Sequence, residues 1–92
     1  MEKRHIVLDT ETTGLDVEKG HRIIEIGGVV MNGRKKTAET FHVYVNPQRE
    51  IDKEAQEVHG ISNEDLKDMP IFSEIAEDLL EFIDGSTLVI HN

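Results

Sequence analysis

Asp9 and Glu11 stand two positions apart, directly after the aliphatic run Ile6-Val7-Leu8 and directly before Thr12-Thr13-Gly14. In extended chain that spacing points both side chains to one side, about 7 Å apart. The hydroxyls and glycine that follow suit a sharp turn. Paired carboxylates where a strand gives way to a turn offer the hard oxygen donors that Mg²⁺ or Mn²⁺ prefer. Ordinary strand-end acids fit the same pattern, and spacing alone decides little in a chain with 19 acidic residues among 92. Asp16/Glu18 and Asp52/Glu54 repeat it, yet neither pair follows an apolar run and neither precedes Thr-Thr-Gly.

The elements that must hold these acids can be read from periodicity. Arg4 to Asp9 reads as a central first strand, its β-branched run suited to burial on both faces. Leu15 to Gly20 is a polar turn. Arg22 to Met31 reads as a second strand, with Ile24, Ile26, Gly28 and Val30 on one face and Ile23, Glu25, Gly27, Val29 and Met31 on the other. Glu25 is the odd member: either a buried carboxylate near a metal site or a sheet-margin residue with a hydrogen-bonding partner. Asn32-Gly33 predicts a type I′ hairpin turn. Thr40 to Val45 is the third strand, ended by Asn46-Pro47.

Helices follow. Asp52 to Val58 reads as a short one stopped by Gly60. Ser62-Asn-Glu-Asp65 has the form of an acidic capping box. Ser73 is placed to cap a longer helix running to Asp84, with Ile75, Ala76, Leu79, Leu80, Phe82 and Ile83 as its apolar stripe. Thr87 to Ile90 is a fourth strand, continuously apolar and therefore expected to be internal and parallel to the first. His5, His21 and His42 show no ligand spacing and read as surface or strand-edge residues.

Composition bounds the partners. A net charge of −9 argues against a broad electrostatic grip on nucleic acid, which needs Lys and Arg. It leaves room for an enzyme that meets one strand end through bound cations. There is no cysteine, hence no disulfide framework and no thiolate metal site. No run approaches the roughly 18 apolar residues of a membrane span, so a soluble cytoplasmic protein of at most one domain is expected.

Ile6-Val-Leu-Asp-Thr-Glu-Thr-Thr-Gly14 resembles the first motif of the DEDD family of 3′→5′ exonucleases, and Arg22-Ile-Ile-Glu-Ile-Gly28, Val58-His-Gly-Ile-Ser62 and Leu88-Val-Ile-His-Asn92 resemble its later stretches in order and spacing. The resemblance covers essentially the whole chain, and its first motif is the specific one. It implies an α/β, ribonuclease H-like mixed sheet: a three-stranded antiparallel meander, helices, then a fourth strand parallel to the first. It implies two divalent cations, Mg²⁺ or Mn²⁺, with Asp9 bridging both and Glu11 binding the one that activates the nucleophile. Thr12, Thr13 and Gly14 would contact the terminal nucleotide, and Leu15 would pack on its base or sugar. Glu54 and His59 match positions that touch the same nucleotide. An exposed Glu and a His near a helix C-terminus are the plainer reading of that pair.

The implied substrate is a single-stranded or frayed DNA 3′ end. The implied partner is the polymerase subunit of a replicase, with this protein as proofreader. An RNA-trimming relative, or a non-catalytic module that binds metal or nucleotide, shares the motifs present. The family's second motif continues past His91-Asn92 to an Asp at the metals, and its general-base His and last metal-binding Asp lie further on. Residues 1–92 are therefore expected to be the N-terminal part of one exonuclease domain, truncated and inactive alone. His91 is the leading His of the second motif, not the general base.

Overall fold

The structure is a computed structural model, and it describes residues 4–14 and 20–91. Seven elements follow in order: β1 (Arg4–Thr12), β2 (Ile23–Asn32), β3 (Lys35–Tyr44), α1 (Lys53–His59), α2 (Asn63–Leu66), α3 (Phe72–Ile83) and β4 (Thr87–His91). The strands form one sheet in the order β3-β2-β1-β4. β1 runs antiparallel to β2 and parallel to β4, and β2 runs antiparallel to β3. This is the mixed sheet expected from the sequence.

Several boundaries differ from those expectations. β1 continues through both carboxylates to Thr12, because β2 extends far enough to pair Glu11 with Glu25 and Thr12 with Ile23. Asp9 and Glu11 thus lie within a strand, and the turn begins only after a bulge between Glu11 and Thr12. β3 starts at Lys35, not Thr40, since the hairpin pairs Asn32 with Lys35 around Gly33-Arg34. Gly33 alone of these two has positive φ, 61°, which fits a type II′ turn and not type I′. α3 begins at Phe72: the Glu74 carboxylate accepts the Ile71 N–H at 3.0 Å, and Ser73 lies inside the first turn instead of capping it. The polar turn expected at Leu15 to Gly20 falls outside the described residues except for Gly20.

Alternation along β2 is clean, with Ile24, Ile26, Gly28 and Val30 buried. Ile26 and Val30 join Ile6, Leu8, Val45 and Ile75 in the core beneath the sheet, where Leu79, Phe82 and Ile83 of α3 pack. Leu80 does not; it is 63% exposed, so the helix stripe is narrower than the pattern suggested. A second cluster, Ile24, Ile51, Ala55 and Leu66, fastens α1 and α2 under the far end of β2. Among the described residues no buried member of either cluster comes from the opposite sheet face, so there β1 is buried on one face, not both. β4 is parallel to β1 as expected but is an edge strand among the described residues, and all five of its residues are exposed. No helix among the described residues is long and apolar enough to cross a membrane.

Candidate active site

The register of the sheet assembles two rows on the face opposite the core. One row runs His91, Asp9, Gly27, His42; the other runs Glu11, Glu25, Tyr44. Asp9 and Glu11 share this face because no bulge separates them and strand side chains alternate. Asp9 is exposed and Glu11 half-buried.

Glu11 and Glu25 sit directly opposite each other, an unfavourable arrangement for like charges. Glu25 has a partner: His42 Nε2 lies 2.6 Å from its Oε2. The His42 ring meets Tyr44 edge-on at 4.9 Å. The Glu25 carboxylate beside it raises the Tyr44 phenol above its usual range, with burial and a hydrogen bond to Glu25 acting in the same direction. Each of the two readings left open for Glu25 holds in part: it has a hydrogen-bonding partner in His42, but β2 is an interior strand and not a sheet margin, and Glu25 stands directly opposite Glu11 of the acid pair.

The turn after β1 is closely tied. Thr12 Oγ1 donates to Gly14 O at 2.7 Å. The Thr13 N–H donates to Arg22 O at 2.9 Å, and the Asp52 N–H donates to Thr13 O at 2.7 Å. His59, the last residue of α1, reaches the same turn. Its Nδ1 accepts the Ile61 N–H at 3.0 Å, so Nε2 carries the proton and donates to Thr12 O at 3.2 Å. α1 is closed by Gly60 in the left-handed conformation, which lets Ile61 fold back onto that ring. A hollow of about 460 Å³ beside His59 is lined by Tyr44, Gly60, Ile61, Asp65 and Met69. It joins the Tyr44 row to the end of α1.

The sequence-derived candidates therefore divide. Asp9 and Glu11 share the face opposite the core, Thr12, Thr13 and Gly14 follow them at the end of β1, and His59 reaches the Thr12 carbonyl of that turn. Glu54 lies in the first turn of α1, exposed, with no hydrogen bond or ion pair among the described residues. It is five residues from His59, about 7.5 Å along the helix axis. Leu15 lies outside the described residues. Of the residues read as surface or strand-edge, His42 is one, exposed on the edge strand β3 and paired there with Glu25, whereas His21 has a side chain only 4% exposed. The Glu25–His42 partnership joins two strands through their register, which no local spacing announces.

Asp9 and Glu11 are the right donors for a hard divalent cation. Their number does not close a site: among the described residues no group of three or more His, Cys, Asp or Glu is arranged to hold a metal ion. A separate cavity of about 410 Å³, lined by His21, Val45, Pro47 and Phe72 among others, contains neither carboxylate and lies apart from this chemistry.

Known proteins share both the sequence and the fold. DNA polymerase III subunit epsilon of Rickettsia typhi is 57% identical over 89 residues, covering 97% of this chain and 39% of that protein. Exonuclease X, solved in complex with 5′ overhanging duplex DNA, is 30% identical with a TM-score of 0.72, over 96% of this chain and 48% of that one. The nuclease domain of 3′hExo, a DEDDh family member bound to rAMP, has a TM-score of 0.76 at 20% identity, over 97% of this chain and 50% of that one. This last likeness is one of fold, the ribonuclease H-like arrangement expected above. The chain spans about two-fifths of the length of the curated relative it matches. The sequence model of the family described as Exonuclease (RNase T) matches residues 6–92, and to that family the chain belongs.

Proposed function

We propose that residues 1–92 form the N-terminal part of a 3′→5′ exonuclease domain that releases 5′-mononucleotides from single-stranded or frayed DNA 3′ ends. The protein works in the cytoplasm as the proofreading subunit beside the polymerase subunit of a replicase. The observation that carries this reading is the pair Asp9 and Glu11 on one uncovered sheet face, next to a turn that His59 holds by its backbone. Identity to a polymerase III epsilon subunit along nearly the whole chain supports the DNA substrate and the polymerase partner.

In this reading Asp9 and Glu11 hold two divalent cations, Mg²⁺ or Mn²⁺, with further ligands from sequence outside these residues. Bound cations supply charge stabilisation to the attacking and leaving oxygens of the phosphodiester. Water adds to phosphorus, the P–O3′ bond breaks, and the proton lost by water ends on the leaving O3′. The Thr12-Thr13-Gly14 turn seats the terminal nucleotide, with Thr13, buried and bonded through its N–H, carbonyl and hydroxyl, anchoring the turn and not touching the ligand; Leu15 packs on the base or sugar, and Glu54 and His59 flank it. The neutral His59 serves by orienting the turn, since its one N–H is engaged with Thr12 O.

The test is digestion of a single-stranded DNA oligonucleotide, compared with an RNA one, by the chain extended to the length of its relatives. Mn²⁺-dependent release of mononucleotides that Asp9→Ala abolishes is expected, with DNA preferred. Activity independent of metal, or unchanged by Asp9→Ala, would overturn the reading. The 92-residue chain alone should be silent in the same assay: its two carboxylates leave the cation pair underligated, and lack of a general base removes a further factor of about 10²–10⁴.

A further inference from the structure

His21 precedes β2 and belongs to no motif used above. Its ring lies over Gly14 so closely that a Cβ there would collide with three ring atoms. Thr13 Oγ1 stands 2.9 Å from His21 Nδ1 and accepts the Arg22 N–H at 3.1 Å. Thr13 is fully buried, so its hydroxyl hydrogen needs an acceptor. Among the described residues Nδ1 is the acceptor within reach. Nδ1 therefore accepts, and the ring proton sits on Nε2. That nitrogen is buried and makes no hydrogen bond of good geometry, yet lies 3.3 Å from Asp52 Oδ2. The contact is an off-line electrostatic one to the residue that opens α1.

We infer that His21 is a positioning residue that locks the Thr12-Thr13-Gly14 turn to the N-terminal end of α1. The turn is then held from both ends of one helix. Asp52 grips Thr13 through its N–H, reinforced by the His21 ring, and His59 grips Thr12 at the other end. Gly14 is glycine because the ring occupies the space of its side chain. This inference rests on the reading above that the turn seats the terminal nucleotide. Its consequence is for nucleotide binding and not for folding, since a misplacement of about 1 Å in a site can cost on the order of 10²-fold.

Amide hydrogen exchange and NMR on the 92-residue chain test this without nuclease activity. The wild-type imidazole spectrum of His21 should show the Nε2–H tautomer. His21→Phe keeps a ring but neither nitrogen; it should speed exchange at the Thr13 and Asp52 amides about tenfold while Ile26 and Val30 keep their protection. His21→Gln keeps an acceptor and a donor and should restore exchange to within about threefold of wild type. On the chain extended to the length of its relatives, titration with Mg²⁺ and thymidine 5′-monophosphate should shift the Thr12–Gly14 amides, with saturation at least about tenfold weaker in His21→Phe. Unchanged exchange at Thr13 and Asp52, or a uniform rise across β1 and β2, overturns the lock. If the nucleotide shifts nothing in the wild-type turn, the nucleotide reading and the binding half of this inference both fail, while the exchange rates still decide the lock.

Discussion

Gly28 sets how near α3 can come to the sheet. A Cβ there would lie 2.9 Å from Phe82 Cε2 and 3.0 Å from Leu8 Cδ2, and Phe82 is already packed on Phe41 at 5.3 Å. Gly28→Ala should destabilise the chain by about 1–3 kcal/mol through overpacking, read as a lower urea midpoint at unchanged slope. A second residue-scale expectation concerns Tyr44. With one tyrosine and no tryptophan in the chain, tyrosinate absorbance reports that phenol alone. Because the Glu25 charge raises it above 10.0, its contact contributes stability below the unfolded value and loses it as pH climbs through the folded one. Glu25→Gln should bring the titration midpoint down; an unmoved midpoint would contradict this cause. Parity in the sequence placed Gly28 on the buried face, but the need for an absent side chain comes from Phe82, far along the chain. His21 was misread because it has no periodic neighbours, and its burial follows from a turn that folds back over it.

At the scale of elements, α2 shows how local chemistry survives intact from sequence to structure. Ser62 Oγ accepts the Asp65 N–H at 3.1 Å and Asp65 Oδ2 accepts the Ser62 N–H at 3.0 Å. Ser62→Ala should cost about 0.5–2 kcal/mol, towards the low end for so short a helix. The Ser62 backbone N–H, and after it the Ser62 hydroxyl, hold the Asp65 carboxyl below its usual 3.8. Their stabilisation is therefore full above that value and lost as pH falls through the folded one. Asp65→Asn should lower the melting temperature at pH 7, and the gap to wild type should close in acid. The capping box and the Gly60 stop were legible because each is set within a few residues. The extension of β1 to Thr12 was not, since it depends on β2 continuing opposite Glu11. Nor was the start of α3, where Ile71 takes the capping position and the Glu74 carboxylate accepts its N–H.

For the whole molecule, the exposed edge is the governing feature. Leu88, Val89 and Ile90 of β4 are 38%, 43% and 65% exposed, and an unpaired apolar strand edge is a template for pairing with another copy. Sedimentation of the 92-residue chain should show association that rises with concentration, and Ile90→Lys should reduce it. Equal behaviour of the two would place the sticky surface elsewhere. The apolar run Leu88-Val-Ile90 announced a strand parallel to β1, and that was correct. Its edge position was hidden because an apolar run signals burial without naming what does the burying.

The pairing of β4 with β1 also dictates timing. His5 meets Thr87 and Asp9 meets His91, so the strand bearing the two acids takes its second neighbour from a segment that follows all three helices. Closing that loop spends conformational entropy before any contact repays it. A ribosome adding about 5–20 residues per second delivers the β1–β2–β3 meander seconds before β4 emerges. The acid-bearing strand therefore waits, half-paired, until residues 87–91 have been translated, and the surroundings of Asp9 cannot be complete before then.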